Sequence, residues 1–402
     1  MSNTLTNVMP KILARGLMSL RERVIMPALI NSDYANDAAK KGDVINVPIP
    51  VAQTASDVTP SNTPPAPADK TPDTVAIPLD QWKHSDFHLT DEELGQIDEN
   101  EHFIPMQMGE AVKALANAVN QNIWDKYKEG VAGSAGFAAT LGSGSTTDAS
   151  DPLSSDTSAI VNARKLLNQQ LCPLDMRNCV LNFNAEANAL ALAAFRDASQ
   201  KGDNQTVVKG AMGELFGIDF YADDHVPIHT AGTLTDGSGT PHKALVNGAL
   251  TAGAKTMDID STSLSGTVEP GDVFMFAGHS QPYCVTNTST LTAATNALAG
   301  ITFAPALTAA VANNEAVYFA PDHAVNMAFH KNAFAFATRP LTALTVDREL
   351  GNRILSMQDP LSKLTLRLEV SRQYKQTVWD LDILWGAKLV RPELATRIAG
   401  AP

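Results

Sequence analysis

Two stretches near the N-terminal end alternate apolar and polar positions with a period of two. Ile45, Val47, Ile49 and Val51 are separated by Asn46, Pro48 and Pro50, and Val75, Ile77 and Leu79 share a face further on. Such alternation predicts strands, and the two prolines confine the first one to a sheet edge. Between them, "AQTASDVTPSNTPPAPADKTPDT" (residues 52–74) is rich in Pro, Ser and Thr and reads as a long exposed tip. Together these segments predict a long hairpin with no core of its own, projecting from the body of the protein. Ahead of it, "KILARGLMSLRERVIMPALIN" (11–31) has the pattern of one or two short basic amphipathic helices.

From Phe103 the period changes. Met108, Val112, Leu115, Val119 and Ile123 fall at spacings of four, three, four and four, which is one face of a helix. A helix over 104–129 would be roughly 39 Å long at 1.5 Å per residue. A glycine-rich break follows. The pattern then predicts a helix over 157–171, a strand at "NCVLNF", a helix started by Asn184 as N-cap, and a strand "GELFGIDFYADDHVP" set off by Gly213 and Gly217.

Residues 230–320 change texture, with short β-like runs and a turn signal every ten residues or so, as in a small barrel or sandwich. After them, Leu364, Leu366, Leu368 and Val370 alternate with polar residues, and so do Trp379, Leu381, Ile383 and Trp385. These predict strong strands.

Charge changes the picture. The 402-residue chain carries 43 acidic and 30 basic residues, a formal net charge of −13. Residues 43–103 hold 12 acidic and 2 basic side chains, whereas 1–42 are net basic and 331–402 hold 11 basic against 7 acidic. A strongly acidic whole argues against wrapping nucleic acid. Opposite signs on separate segments suit copies of the chain meeting one another. The three cysteines, Cys172, Cys179 and Cys284, form no CxxC pair, which predicts a reducing compartment. No run of apolar residues is long enough for a signal sequence or a membrane span, so a soluble intracellular chain is expected.

Candidate chemistry is sparse. "VEPGDVFMFAGHSQPYCV" (268–285) ends a hydrophobic run in Gly278-His279-Ser280-Gln281, which has the look of a serine-hydrolase elbow. An elbow needs G-x-S-x-G followed by a helix. Here Pro282 replaces the second glycine and "YCVTNTSTLTAA" continues with β character, so the stretch reads as two strands joined by a turn. "HSDFH" sets His84, Asp86 and His88 on one strand face, a geometry metal sites use, though no further ligand is evident. Asp223-Asp224 falls in a loop, and Glu92-Glu93 sits at a Thr-capped helix start, where acidic groups suit the helix dipole. Met106 and Met108 read as helix-face packing. Walker, dinucleotide and zinc spacings are absent. No catalytic, cofactor-binding or metal residue is assigned.

The order of elements carries more than any motif. "VLNFNAEANALALAAFRDA…GAMGELFGIDFYADDHVP" resembles the strand, the "N-P-x-x" helix start and the glycine-flanked strand of the major capsid protein of tailed bacteriophages, the Hong Kong 97 fold. Asn184 stands where that family's helix begins, with Ala185 in place of its proline. The ending "LRLEVSRQYKQTVWDLDILWGAKLVRPELATRIAG" is similar too. "VEPGDVFMFAG" resembles the barrel entry in the coat protein of short-tailed Salmonella phages, which carries an inserted β-barrel, and "LVRPELATRIAG" resembles its terminal run.

The resemblance implies an α+β fold and a non-enzymatic shell protein. Its expected parts are an N-terminal arm (1–42), an extended loop with connector (43–103) and a peripheral domain with a spine helix (104–149). An axial domain (150–229, returning at 321–345), an inserted β-barrel (230–320) and peripheral C-terminal strands (346–402) complete it. It also implies hexamers and pentamers around double-stranded DNA held without sequence reading. A scaffolding protein and a portal would be partners, and assembly would take place in a bacterial host's cytoplasm to give a virion capsid. No cofactor and no membrane are implied. A nanocompartment shell of the same fold, and a hydrolase using Ser280, are the alternatives.

Overall fold

A computed structural model describes residues 25–32, 44–49, 55, 57–58, 60, 73–92, 103–133, 135, 151–197, 206, 209–236, 242–339, 353–358 and 364–402. The chain divides into two compact units, one from 1–17, 32–112 and 335–390, the other from 18–31, 113–334 and 391–402.

In the first unit, β1 (Val44–Ile49) and β2 (Asp73–Pro78) pair antiparallel with Ile45 opposite Ile77 and Val47 opposite Val75, as the alternation predicts. Their apolar face is not bare. Ile45, Val47, Ile77 and Leu79 pack with Ala335, Ala337 and Val390 into a buried cluster. The expected hairpin without a core is therefore corrected: its strands bury one face on their own chain, because the period-two stripe is long enough to need a partner. Of the tip, only scattered residues lie among those described.

Four further strands extend this unit, with β17 (Phe334–Thr338) at one end: β3 (Gln81–Thr90), β18 (Arg353–Gln358), β19 (Thr365–Gln373) and β20 (Gln376–Leu389). They form one five-stranded sheet in the order β17-β20-β19-β18, with β3 also on β20. Leu366, Leu368, Trp379, Leu381 and Ile383 are buried.

The long helix Phe103–Trp124, which belongs to the second unit from Lys113 on, buries Val112, Leu115, Val119 and Ile123, then tightens into a 3₁₀ turn at Asp125–Glu129. The Met108 side chain of the predicted stripe lies outside the described residues. A helix at Ser158–Gln169 leads into β4 (Arg177–Leu181) and a helix at Phe183–Ala191. That last helix is capped by Asn182, whose side chain accepts from the Ala185 amide at 3.0 Å. Asn184 sits inside the first turn, a correction by two residues, since the cap position requires the extended backbone (ψ 165°) found at Asn182. The segment expected as one strand is a hairpin, β5 (Gly213–Leu215) and β6 (Ile218–Ala222), turning through Phe216 and Gly217 at φ 55° and 70°. Two positive φ values are what a tight two-residue turn demands.

β7 (Ile228–His229), β16 (His323–His330) and β21 (Ala395–Gly400) complete a sheet ordered β21-β16-β4-β6-β5, with β7 on β16. Between β7 and β16 the chain builds a closed six-stranded barrel. Its strands are β8 (Lys243–Val246), β9 (Thr256–Asp260), β11 (Val273–Phe276), β12 (Tyr283–Val285), β14 (Ala297–Ala304) and β15 (Ala316–Phe319). A small ribbon, β10 (Thr267–Val268) with β13 (Leu291–Thr292), lies beside them. Buried apolar side chains fill the barrel. Phe274 has the rings of Phe276, Tyr283, Phe303 and Phe319 within 5.4–5.6 Å of its own. Closure leaves no sheet edge to cover.

All the core residues of this barrel come from 234–319. We predict that a fragment spanning 223–325, expressed alone, unfolds cooperatively with a β-type circular dichroism signal and dispersed amide resonances. A random-coil spectrum would show that the barrel needs the rest of the chain.

Candidate functional site at the root of the barrel

The residues singled out by sequence fall in three places. Ser280 is exposed in the turn between β11 and β12, which pair antiparallel with Val273 opposite Cys284 and Phe274 opposite Tyr283. A strand follows it, so the stretch is the hairpin that its turn chemistry predicts.

His84 and Asp86 do share a face of β3, and the register sets Asp86 opposite Asp380 on β20. His84 Nδ1 lies 3.2 Å from Asp380 Oδ1 and 4.0 Å from Asp86 Oδ1, whereas His88 stands opposite Val378. Beside them Arg367 grips Asp382 through two bonds of 2.8 and 2.6 Å, and the Trp82 indole donates to the same carboxylate at 2.9 Å. Burial raises the Asp380 carboxyl, against the pull of His84. Among the described residues no group of three His, Cys, Asp or Glu is placed to hold a metal ion.

Asp223 and Asp224 separate. Asp223 is buried and accepts from Asn120 Nδ2 at 2.7 Å and Trp124 Nε1 at 2.8 Å, tying the long helix to the end of β6. Glu92 is exposed, and Glu93 lies outside the described residues. The three cysteines are buried and free.

The densest buried polar group joins residues that sequence reasoning did not connect. Arg397, on β21, is fully buried, a placement that calls for acceptors around its donors; among the described residues its two terminal nitrogens find them and its Nε does not. Its Nη1 donates to the Gly271 carbonyl at 3.0 Å and to His323 Nε2 at 3.2 Å. Its Nη2 donates to the Val131 carbonyl at 2.8 Å and lies 3.6 Å from the Cys284 sulfur. The guanidinium stacks over the Tyr127 ring at 4.7 Å, a cation–π contact. One side chain thus holds the end of the long-helix segment, the barrel and the sheet.

The histidines are fixed by their partners. An arginine N–H can only donate, so His323 Nε2 accepts and its Nδ1–H donates to the Pro321 carbonyl at 2.7 Å. His229 Nε2–H donates to Asp272 Oδ1 at 2.8 Å, and the Tyr127 hydroxyl donates to His229 Nδ1 at 3.0 Å. Asp272 also accepts the amides of Glu269 at 2.7 Å and of Gly232 at 3.2 Å. Burial, followed by Arg397, depresses His229 to about 3, and burial and Arg397 likewise hold His323 well below the usual histidine range. Burial raises Asp272 to about 7 against its backbone donors, and Tyr127 and Cys284 to about 12 and 11.

A cysteine, two histidines and an aspartate together suggest a nucleophilic centre, but the cysteine is committed to the interior. Cys284 is wholly buried with its thiol raised by desolvation, the opposite of an activated thiolate. What the arrangement does is hold. No short motif marks it: Asp272 reads as a turn residue, and Arg397 as a lone charge in "ELATRIAG". That lone arginine inside an apolar run is the one signal that could have found it.

The architecture has known counterparts. Over 94% of this chain and 88% of the other, it matches a chain from the capsid structure of the Cyanophage P-SCSP1u, with a TM-score of 0.52 and 13% identity. The fold is that of a phage capsid chain. The capsid of Ralstonia phage GP4 is similar at a TM-score of 0.45 (10% identity, 93% and 87% covered). The virus-like particle from Pyrococcus furiosus is similar at 0.43 (9% identity, 97% and 98% covered). No family model and no curated protein matches the sequence.

Replacing Arg397 by Met strands the Gly271 and Val131 carbonyls away from water. We expect a loss of about 3 kcal/mol in urea unfolding of the full chain, with Arg397→Lys recovering less than half because it lacks the fork.

Proposed function

We propose that the chain is the subunit of an icosahedral phage shell, a major capsid protein of the Hong Kong 97 type. Its nearest kin would be the coat proteins of short-tailed Salmonella phages with an inserted barrel. The observation that carries this reading is the closed barrel set between two paired strands of a mixed sheet, in a chain that follows a phage capsid chain over 94% of its length. In this reading the described core does mechanical work. The long helix is anchored by Asp223, the barrel by Arg397, and no reaction is catalysed.

Copies would form hexamers and pentamers around double-stranded DNA, helped by a scaffolding protein and a portal. An acidic chain suits a container that must not bind its contents tightly. The acidic segment 43–103 would reach a basic region of a neighbouring copy. The loop between β1 and β2 would make that contact, since the strands themselves are already satisfied on their own chain.

Co-expressed with its scaffolding protein, the chain should sediment as megadalton particles that negative-stain microscopy shows as closed shells. A chain that stays monomeric under every scaffold and salt condition overturns the proposal. Shells assembling with enzyme cargo and without a scaffold would favour the nanocompartment alternative.

Deleting residues 52–72 should change monomer stability by less than about 1 kcal/mol while reducing the yield of particles. Equal losses in both measurements would place the tip against its own subunit.

A further inference from the structure

The barrel is an insertion whose two connections leave and re-enter the sheet at a pair of histidines. β7 ends at His229, β16 begins at His323, and these two residues are direct cross-strand partners with rings 5.3 Å apart. Arg397 lies against His323 and reaches into the barrel at Gly271 and Cys284, while His229 reaches the barrel at Asp272. From this geometry we propose that the barrel is fastened to its sheet by an acid-opened latch, in which a proton on His323 repels Arg397, a proton on His229 displaces the Tyr127 hydroxyl, and the barrel is freed to move as a unit. The inference stands independently of the shell reading.

The chemistry of the contacts makes the latch sensitive to protons. His323 Nε2 accepts from Arg397 Nη1, so a proton there sets N–H against N–H and a cation against a cation at 3.2 Å. His229 Nδ1 accepts from the Tyr127 hydroxyl, so a proton there displaces the only hydrogen that hydroxyl can give. Both protonated rings would share one buried space with Arg397 at the point where the chain crosses into the barrel.

One side of the latch faces a cleft of about 510 Å³, whose lining includes Tyr127, Lys128, His229, Thr230, Glu269 and Thr290. The charged groups acting on His229 are Arg397 and Lys128, which oppose its protonation, and Asp322 and Glu269, which favour it, with Asp272 in direct contact. Those acting on His323 are Arg397 and His229, both opposing, with the Pro321 carbonyl favouring the proton. His242 and Arg397 favour the charged form of Asp272.

The sign follows from linkage. His229 is depressed to about 3 when latched and His323 is held well below its ordinary 6.5, so below 6.5 the open state binds more protons at both rings. Asp272 is raised from 3.8 to about 7 when latched, so between those two values the latched state holds one more. Opening takes up one net proton, and its equilibrium constant rises about tenfold for each unit of pH lost between roughly 6 and 4.

The amides of Gly232 and Glu269 both donate to Asp272 and report the latch, whereas those of Val246 and Phe303 bond within the barrel. Hydrogen exchange on the full-length protein, expressed as protection factors, should show Gly232 and Glu269 losing about tenfold protection per pH unit. Val246 and Phe303 should hold steady. In His323→Gln, which keeps an acceptor for Arg397 and a donor for Pro321, the slope should flatten. His229→Gln provides the same test if that variant does not fold, and Asp272→Asn should steepen the slope. Protection at Gly232 and Glu269 that ignores pH, or that falls in step with Val246 and Phe303, overturns the latch.

Discussion

A buried guanidinium needs acceptors for its donors, and in this chain that requirement ties together three parts of the second unit, meeting both terminal nitrogens of Arg397 and leaving its Nε without a hydrogen-bond partner among the described residues. Arg397 sits on the last strand, yet its acceptors come from positions 131, 271 and 323. None of these is near it in sequence. Water is excluded, so each lost contact leaves a charged donor or a carbonyl with no substitute. The end of the long-helix segment, the barrel loop and the returning strand β16 are held in one arrangement because that arrangement supplies acceptors to both terminal nitrogens of Arg397.

Close backbone approach serves the same end. A methyl at Gly232 would collide with the Thr267 carbonyl, and one at Gly266 with the Thr233 carbonyl. The two glycines let the segment entering the barrel lie flat on it, with Thr235 and Ser265 exchanging backbone hydrogen bonds of 2.9 and 3.1 Å. The Gly232 amide is thereby carried to Asp272. A short strap and a polar knot hold the barrel from two sides, and the knot contains His229, His323 and Asp272.

The first unit solves a different problem by different means. Its sheet buries one face of Leu and Trp, while the other face carries Asp86, Asp380, Asp382 and Glu369 with Arg367 and His84. Arg367 bonds in a fork to the nine-tenths-buried Asp382, which makes that pair the strong one. The more exposed His84 contacts are worth little. The ribbon β1–β2 shows how a reading from pattern can be right about register and wrong about surroundings. Alternation showed which side chains share a face, but it carries no information on what covers that face.

Periodicity by itself determined the elements. The stripe Val112-Leu115-Val119-Ile123, the alternations in β1, β19 and β20, and the Gly271 and Gly278 turns around β11 all fold as local pattern demands, because backbone geometry sets the repeat. The ordered series of elements also sufficed to suggest the capsid architecture. The cap at Asn182 instead of Asn184 was beyond pattern, since either asparagine fits the composition of a helix start and the path of β4 chooses between them. Only the tertiary structure decided that Asp223 is an anchor and that His229, Asp272, His323 and Arg397 form one knot. Those groups are scattered from 229 to 397 and come together through strand pairing. The energy of a buried charge depends on who its neighbours are, and that is a property of the fold.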